Sequence, residues 1–404
     1  MRWPAARRYA GAVTERRDAP ATDQPATSPD GMAPGRDVMG EVDSISDSFA
    51  TAVARSNAIE ADLDANPGAY RVLTGDRPTG PLHLGHYFGT LRNRVRLQDR
   101  GVPIVLVIAD YQVITDRDTL PELRRTVLEL IASYLSCGID PTRTTIFTHS
   151  AVPALNQLML PFLSLMGHGE LLRNPTVKTE LEDSGGRALS GLLLTYPVHQ
   201  AADILFCHGN VVPVGRDQLP HIEATRLVAR RFNERYAGGR QVFTEPSALL
   251  SQAPVLLGTD GSAKMSKSKG NTIDLAHSED ETAKRIKRAK TDPDRHITYD
   301  PANRPEVANL LLIAELCRAA DTGEVPDPAG LAEQIGDGGA GTLKRIVTEA
   351  VNEHLRPLRA RHAELMADPA ALFAILAQGN ARANEMADAT LNTVRSVMGM
   401  DYSG

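Results

Sequence analysis

The chain has 404 residues, enough for two or three domains, and 42% of them are hydrophobic, enough to bury sizeable cores. Acids outnumber bases 50 to 44, so a basic coat over the whole surface is excluded and any nucleic acid must be held by local patches. Cys137, Cys207 and Cys317 lie far apart with no C-x-x-C pair, which argues against a disulfide framework or structural zinc and fits a reducing compartment.

No run approaches about 18 apolar residues, so no membrane-spanning helix and no membrane partner is expected. The N-terminus, MRWPAARRYAGAVTERRD, has arginines but no apolar core, which disfavours a secretory signal; Pro4 and the acids from Glu15 onward disfavour a transit peptide. The reading is cytoplasmic. Residues 1–66, rich in Ala, Pro, Asp, Ser and Arg, lack the apolar periodicity that offsets ordering entropy and are expected to be disordered or loosely helical, with Ser44–Leu63 as a candidate short amphipathic helix.

Order is expected from Tyr70 onward. Tyr70–Gly75 reads as a strand, followed by the loop DRPTGP and a helix over Leu84–Gln98 in which Tyr87, Leu91 and Val95 recur at helical spacing. Pro103–Ala109 is a continuous apolar run, the pattern of a strand covered on both faces. A helix over Pro121–Cys137, a strand over Thr144–Thr148, helices over Pro153–Gly167 and Ser190–Phe206, a strand over Val211–Val214, a helix over Gln218–Tyr236 and a last strand at Pro254–Leu257 follow. Such alternation predicts right-handed crossovers and an α/β fold with a Rossmann-like, doubly wound parallel sheet over 67–272. From Ser278 the pattern is helix after helix (Asp280–Lys290, Glu306–Ala320, Gly341–Ala367, Pro369–Met398), so 273–404 is expected to be an all-helical C-terminal domain.

Two motifs carry chemistry. The first is TGDRPTGPLHLGH (74–86), at a strand-to-helix turn. In open α/β sheets ligands bind at the carboxyl ends of strands, where free N–H groups of helix N-termini favour anions. Gly75, Gly80 and Gly85 permit close backbone approach, and His83 and His86, three apart, can donate to phosphate oxygens. No third ligand stands at zinc spacing from these two histidines, so no metal site is read here. The second motif is AKMSKSKG (263–270), whose Lys264, Lys267 and Lys269 form a cationic loop suited to stabilising charge on a leaving phosphate. Taken singly, each motif also admits a bland reading, a glycine-rich turn with two surface histidines or a solvated lysine loop; occurring together at opposite ends of one sheet domain, they indicate nucleotide chemistry.

HLGH (83–86) and KMSKS (264–268) resemble the two signatures of class I aminoacyl-tRNA synthetases. With TGDRPTGPLHLGHY (74–87), ADYQVITDR (109–117), TYPVHQAADIL (195–205), VPVGRDQLPHIEATRLVARRFN (212–233) and KRIKRAKTD (284–292), the chain resembles the bacterial-type tryptophanyl-tRNA synthetases from about residue 70 to 400. The resemblance implies activation of L-tryptophan by ATP, transfer to the 3′ end of tRNA(Trp), a homodimer, an anticodon-binding helical domain and no DNA partner. It assigns Arg77, Pro78, Thr79, Gly85, His86, Gly215, Arg216, Asp217, Val255, Lys264, Met265, Ser266, Lys267 and Ser268 to the ATP site, with His83, His86, Lys264 and Lys267 as catalytic groups. Magnesium would arrive with ATP rather than in a protein cage. Asp203 would accept the indole N–H, Tyr196 and Gln218 would meet the substrate ammonium, Gln112 and Gln200 would lie around the amino acid, and Lys178 would stand near the phosphates.

The chain departs from that family where Gln112 replaces a usual histidine and Gln200 a usual methionine, which predicts low sensitivity to indole-based inhibitors such as indolmycin. A tyrosyl-tRNA synthetase would want a QAYD-like segment where this chain has HQAADIL (199–205). A non-catalytic synthetase-like regulator would not need His83, His86, Lys264 and Lys267, and a tRNA-independent nucleotidyltransferase would not need the helices after residue 278.

Overall fold

The computed structural model describes residues 38–115, 122–183, 189–251 and 253–402, with backbone alone at 38–48, 180–183 and 268. Two units are distinguished, Met1–Asp47 and Ser48–Gly404. Residues 1–37 of the expected disordered segment lie outside the described residues, but Val38–Asp62 is a helix (α1), longer than the candidate over Ser44–Leu63. The helical alternative is the one seen there, and the end of α1 is held by partners distant in sequence. Ile59 and Leu63 are buried, Glu60 pairs with Arg96 and Arg100, and the Ser56 hydroxyl accepts the Leu250 N–H at 2.9 Å.

Five strands form one parallel sheet: β1 (Val72–Asp76), β2 (Ile104–Ile108), β3 (Thr144–Thr148), β4 (Val211–Val214) and β5 (Ser247–Leu250), in the order β3-β2-β1-β4-β5. Between them run α2 (Leu84–His86), which passes through a π turn (Tyr87–Leu91) into α3 (Arg92–Asp99), then α4 (Leu123–Ser136), α5 (Pro153–Leu163), α6 (His168–Arg173), α7 (Pro175–Asp183), α8 (Gly191–Leu205) and α9 (Leu219–Arg235). The expected strand at Pro254–Leu257 is not in the sheet. The edge place is taken by Ser247–Leu250, while Pro254, which lacks an N–H for a ladder, begins an extended segment whose Leu256 carbonyl accepts the Met265 N–H.

After the sheet come α10 (Glu279–Arg288), α11 (Pro305–Thr322), α12 (Pro328–Ile335), α13 (Gly339–Met366) and α14 (Pro369–Val397). These helices pack on the sheet rather than on one another alone. Side chains alternate along β2, so Ile104, Leu106 and Ile108 face a core shared with Leu311, Val347 and Val351, while Val105 and Val107 face a second core that includes Ala383, Ala387 and Leu391 of α14. Helix α14 lies so close on β3 that a Cβ at Gly379 would fall 1.8 Å from the Ile146 carbonyl oxygen. Arg382 donates to the carbonyls of Pro141 and Thr144, and the Thr390 hydroxyl to that of Phe206.

Candidate functional site

The sheet opens at its centre. Strand β1 pairs with β2 along five positions but with β4 only at Val72–Val211, so beyond Val72 the two strands diverge at the point where the strand order reverses. A crevice at such a reversal, outside the carboxyl ends of the strands, is where doubly wound folds hold ligands. The loop after β1 and the turn after β4 flank it.

At the end of β1 the Asp76 carboxylate accepts hydrogen bonds from Arg94 and, at 2.6 Å, from the Tyr134 hydroxyl. Arg94 also donates to the Gly75 carbonyl. Burial alone would raise the Asp76 carboxyl, but the charge and hydrogen bonds of Arg94, with Tyr134, outweigh it and hold the group at about 2. This buried trio fixes the strand end from which Arg77, Pro78 and Thr79 depart; the sequence reading missed Arg94 and Tyr134 because they lie on α3 and α4. Gly75 is glycine of necessity, since a Cβ there would meet Val107 at 2.3 Å.

The two histidines of HLGH lock each other at the start of α2. His83 Nδ1 accepts the Gly85 N–H at 3.1 Å, His86 Nδ1 accepts the His83 N–H at 3.3 Å, and the ring centroids stand 3.7 Å apart. Burial, then the neighbouring His86 and the Lys267 charge, bring His83 down to about 3. Burial likewise lowers His86, which Asp76 opposes and Lys267 reinforces, to about 4. Both rings are therefore neutral near pH 7. With Nδ1 an acceptor in each, the other nitrogen, Nε2, carries the proton and can donate it to an anion.

The KMSKS loop is docked on this turn. Leu84 N–H donates to the Ile273 carbonyl and Leu275 N–H to that of Leu82, so the backbones of His83 and Asp274 pair as an isolated antiparallel bridge. Lys267 donates to the Gly80 carbonyl at 2.8 Å, and Met265 is buried beside Gly85. Asn271, 2% exposed, holds the loop's shape: its Oδ1 accepts the Ser266 N–H at 2.7 Å and its Nδ2 donates to Asp260 and Ser262. Asn271 was missed in the sequence, where it reads as one polar residue after a glycine. The Ser268 side chain lies outside the described residues.

After β4, Gly215, Arg216 and Asp217 are exposed at the turn into α9. A Cβ at Gly215 would meet the Asp217 carboxylate at 2.7 Å, and the Arg216 guanidinium lies 4.4 Å over the ring of Phe49, so α1 reaches this turn. The Gln218 amide donates to Asp217. Lys178, Lys264 and Val255 are exposed, and the hydrogen bonds that knit the other loops together among the described residues do not include their side chains.

A chain of contacts runs from the loop after β1 to the expected amino-acid pocket. Arg77 reaches Thr115, whose hydroxyl donates to the Gln112 carbonyl; Tyr111 on the same turn stacks on His149 at 6.4 Å. His149 Nε2 stands 2.9 Å from Asp203 Oδ1, with both side chains sealed from solvent, and its ring packs edge-on against His199 at 4.6 Å. Burial opposes charge on His149, but the Asp203 carboxylate outweighs it and raises that imidazole. Tyr196 is buried with its hydroxyl 3.1 Å from His221 Nε2, and Gln112 and Gln200 are partly buried. Neither His149 nor His199 entered the sequence reading as a site residue. One signal was available: His199 and Asp203 are one turn apart on α8.

A family model described as tRNA synthetases class I (W and Y) matches residues 66–356. A tryptophan–tRNA ligase of Treponema pallidum is 41% identical over 346 residues, 82% of this chain and 97% of that one. Another, of Clostridium longisporum, is 39% identical over 338 residues with the same coverage. Among solved structures, a tryptophanyl-tRNA synthetase of Campylobacter jejuni complexed with ADP and tryptophan superimposes with a TM-score of 0.71 at 32% identity, covering 81% of this chain and 99% of that one.

Proposed function

The chain belongs to the class I tRNA synthetases of the tryptophan and tyrosine kind, and we propose that this aminoacyl-tRNA ligase joins L-tryptophan to tRNA(Trp) in two steps. In the first, a tryptophan carboxylate oxygen attacks the α-phosphorus of ATP, the bond to the bridging oxygen breaks, and pyrophosphate leaves. In the second, a ribose hydroxyl at the tRNA 3′ end attacks the acyl carbon and AMP leaves. The observation that carries this reading is the docking of Lys267 against the Gly80 carbonyl beside two neutral histidines at the sheet's central crevice. A fixed cation and neutral N–H donors stabilise charge that grows on a leaving phosphate without reorganising first.

In this reading Arg77, Pro78, Thr79, Gly85, His86, Met265, Ser266 and Ser268 line the nucleotide, and Gly215, Arg216 and Asp217 approach it from β4, with Val255 on the adenine's outer side. Magnesium enters on the nucleotide, since Asp76, the carboxylate at the end of β1, is already engaged by Arg94 and Tyr134. Asp203 accepts the indole N–H, Tyr196 and Gln218 meet the ammonium group, and Lys178 stands near the phosphates. Helices α10–α14 and the basic face of α10 take the tRNA, and two copies of the chain form a dimer in the cytoplasm. Among the described residues, no helix is long and apolar enough to cross a membrane.

Gln112 and Gln200 make this an enzyme of low sensitivity to indolmycin-like inhibitors, because an amide that a bound ligand covers and leaves unpaired costs about 1–3 kcal/mol. The test of the main reading is ATP–pyrophosphate exchange with each amino acid in turn. Exchange dependent on tryptophan supports it, exchange with tyrosine moves the chain to the sister specificity, and exchange with neither leaves a tRNA-binding protein without catalysis.

A further inference from the structure

We propose that His149, His199 and Asp203 form a binding site for one divalent transition-metal ion of the zinc class. Two imidazoles and one carboxylate each place a donor atom within 4.8 Å of the others, on a 3-10 turn after β3 and on α8. Zinc bonds of about 2.0–2.2 Å set tetrahedral donors roughly 3.3–3.6 Å apart, so small side-chain rotations close the set. Three protein donors leave one position open, the pattern of zinc sites that exchange a fourth ligand. Two nitrogens and a single carboxylate suit zinc, cobalt or nickel better than magnesium or calcium, which take oxygen.

Two further observations point to a cation. All three residues are nearly sealed, at 0%, 3% and 2% exposure, yet both His149 nitrogens and Asp203 Oδ1 lack an aligned hydrogen-bond partner among the described residues despite the 2.9 Å approach of Nε2 to Oδ1. Buried polar atoms are nearly always paired, and one metal ion would engage one His149 nitrogen and Asp203 Oδ1 together. The surroundings also supply an outer hydrogen bond for His199 and negative charge beside His149. Asn156 Oδ1 lies 3.1 Å from His199 Nε2, and the Asp110 carboxylate, which holds the Ser150 N–H at 3.1 Å, adds negative charge beside His149. Tyr111, 38% exposed and stacked on His149, puts the cluster one ring from solvent.

In one respect the inference rests on the pocket reading above: if Asp203 accepts the indole N–H, metal and tryptophan compete for it, and the ion inhibits adenylate formation. The experiment uses the full chain stripped with chelator and titrated with zinc alone, then with cobalt. We expect one tightly bound zinc per chain, a cobalt complex with the intense visible absorption of tetrahedral coordination, and at least about 100-fold weaker binding in His199→Leu and His149→Gln. Tryptophan should displace the ion. Zinc that binds at one per chain but is indifferent to tryptophan keeps the metal site and removes Asp203 from the indole. No stoichiometric zinc in the wild type, octahedral cobalt, or equal binding in folded variants overturns the site whatever tryptophan does. Should the variants fail to fold, the wild-type stoichiometry and cobalt spectrum still decide.

Discussion

Replacing Arg94 by methionine tests whether the members of the buried trio at the end of β1 depend on one another. Arg94 is 3% exposed and the Asp76 side chain 17%, so the substitution leaves a largely buried carboxylate with Tyr134 as its remaining partner. Removing one member of a buried ion pair costs about 3–5 kcal/mol, because the other charge stays uncompensated. The carboxyl itself gives an independent scale. It is held at about 2 against an ordinary 3.8, and that depression is worth roughly 2 kcal/mol of folding stability near neutral pH. Because the folded group titrates below the unfolded one, this contribution is complete above about pH 4 and is lost as pH falls toward 2. Asp76→Asn removes the charge that Arg94 neutralises, and the double variant Asp76→Asn/Arg94→Met removes both. Urea unfolding at pH 7 of the four proteins should give a double-variant loss well below the sum of the single losses, with a coupling of about 2 kcal/mol or more. Additive single losses, or an Arg94→Met loss under about 1 kcal/mol, would refute the argument that the pair is mutually dependent.

Lys267→Ala should slow ATP–pyrophosphate exchange by about 10²–10³-fold with tryptophan binding unchanged, since charge stabilisation realised in the transition state acts on rate; unchanged exchange removes Lys267 from the reaction. On α10 the exposed Lys284, Lys287 and Arg288 are the bases to neutralise, because Arg285 instead donates to the Gly270 and Thr272 carbonyls and Lys290 pairs with Glu306. Changing Lys284, Lys287 and Arg288 to glutamine should flatten the salt dependence of the tRNA KM by about 0.7–0.9 in log–log slope for each tRNA phosphate that is no longer neutralised, leaving exchange intact. Arg285→Gln should lower exchange, since it supports the loop that carries Lys267. Indolmycin should inhibit the wild type about 10- to 100-fold more weakly than Gln112→His, a difference of roughly 1.4 kcal/mol per decade, and equal inhibition constants would show that Gln112 has no part in it.

The parallel sheet and most of its helices were legible because the signals are local. The run Pro103–Ala109 is apolar throughout since β2 is covered on both faces, and the HLGH turn reads as a helix start since His83 caps α2. What was illegible depends on contacts between segments far apart. Pro254–Leu257 has the composition of a strand, but the edge of β4 was already taken by Ser247–Leu250. The order of the end of α1 comes from Arg96, Arg100 and Leu250, none of them near it in sequence.

The same reason explains how the helical C-terminal region and the pocket belong to one construction. Gly379 looks in sequence like a weak point in a long helix, costing about 1 kcal/mol relative to alanine. In the fold it is where α14 meets the Ile146 backbone, and Asn380 next to it accepts the Thr148 N–H at 3.0 Å. Thr148 is the last residue of β3 and immediately precedes His149, and Asn384, one turn on, donates to the Ala151 carbonyl at the end of the same 3-10 turn. So a helix near the C-terminus sets the turn that carries His149 to Asp203. The helix propensity surrendered at residue 379 permits that approach, and the geometry of the buried cluster follows from it.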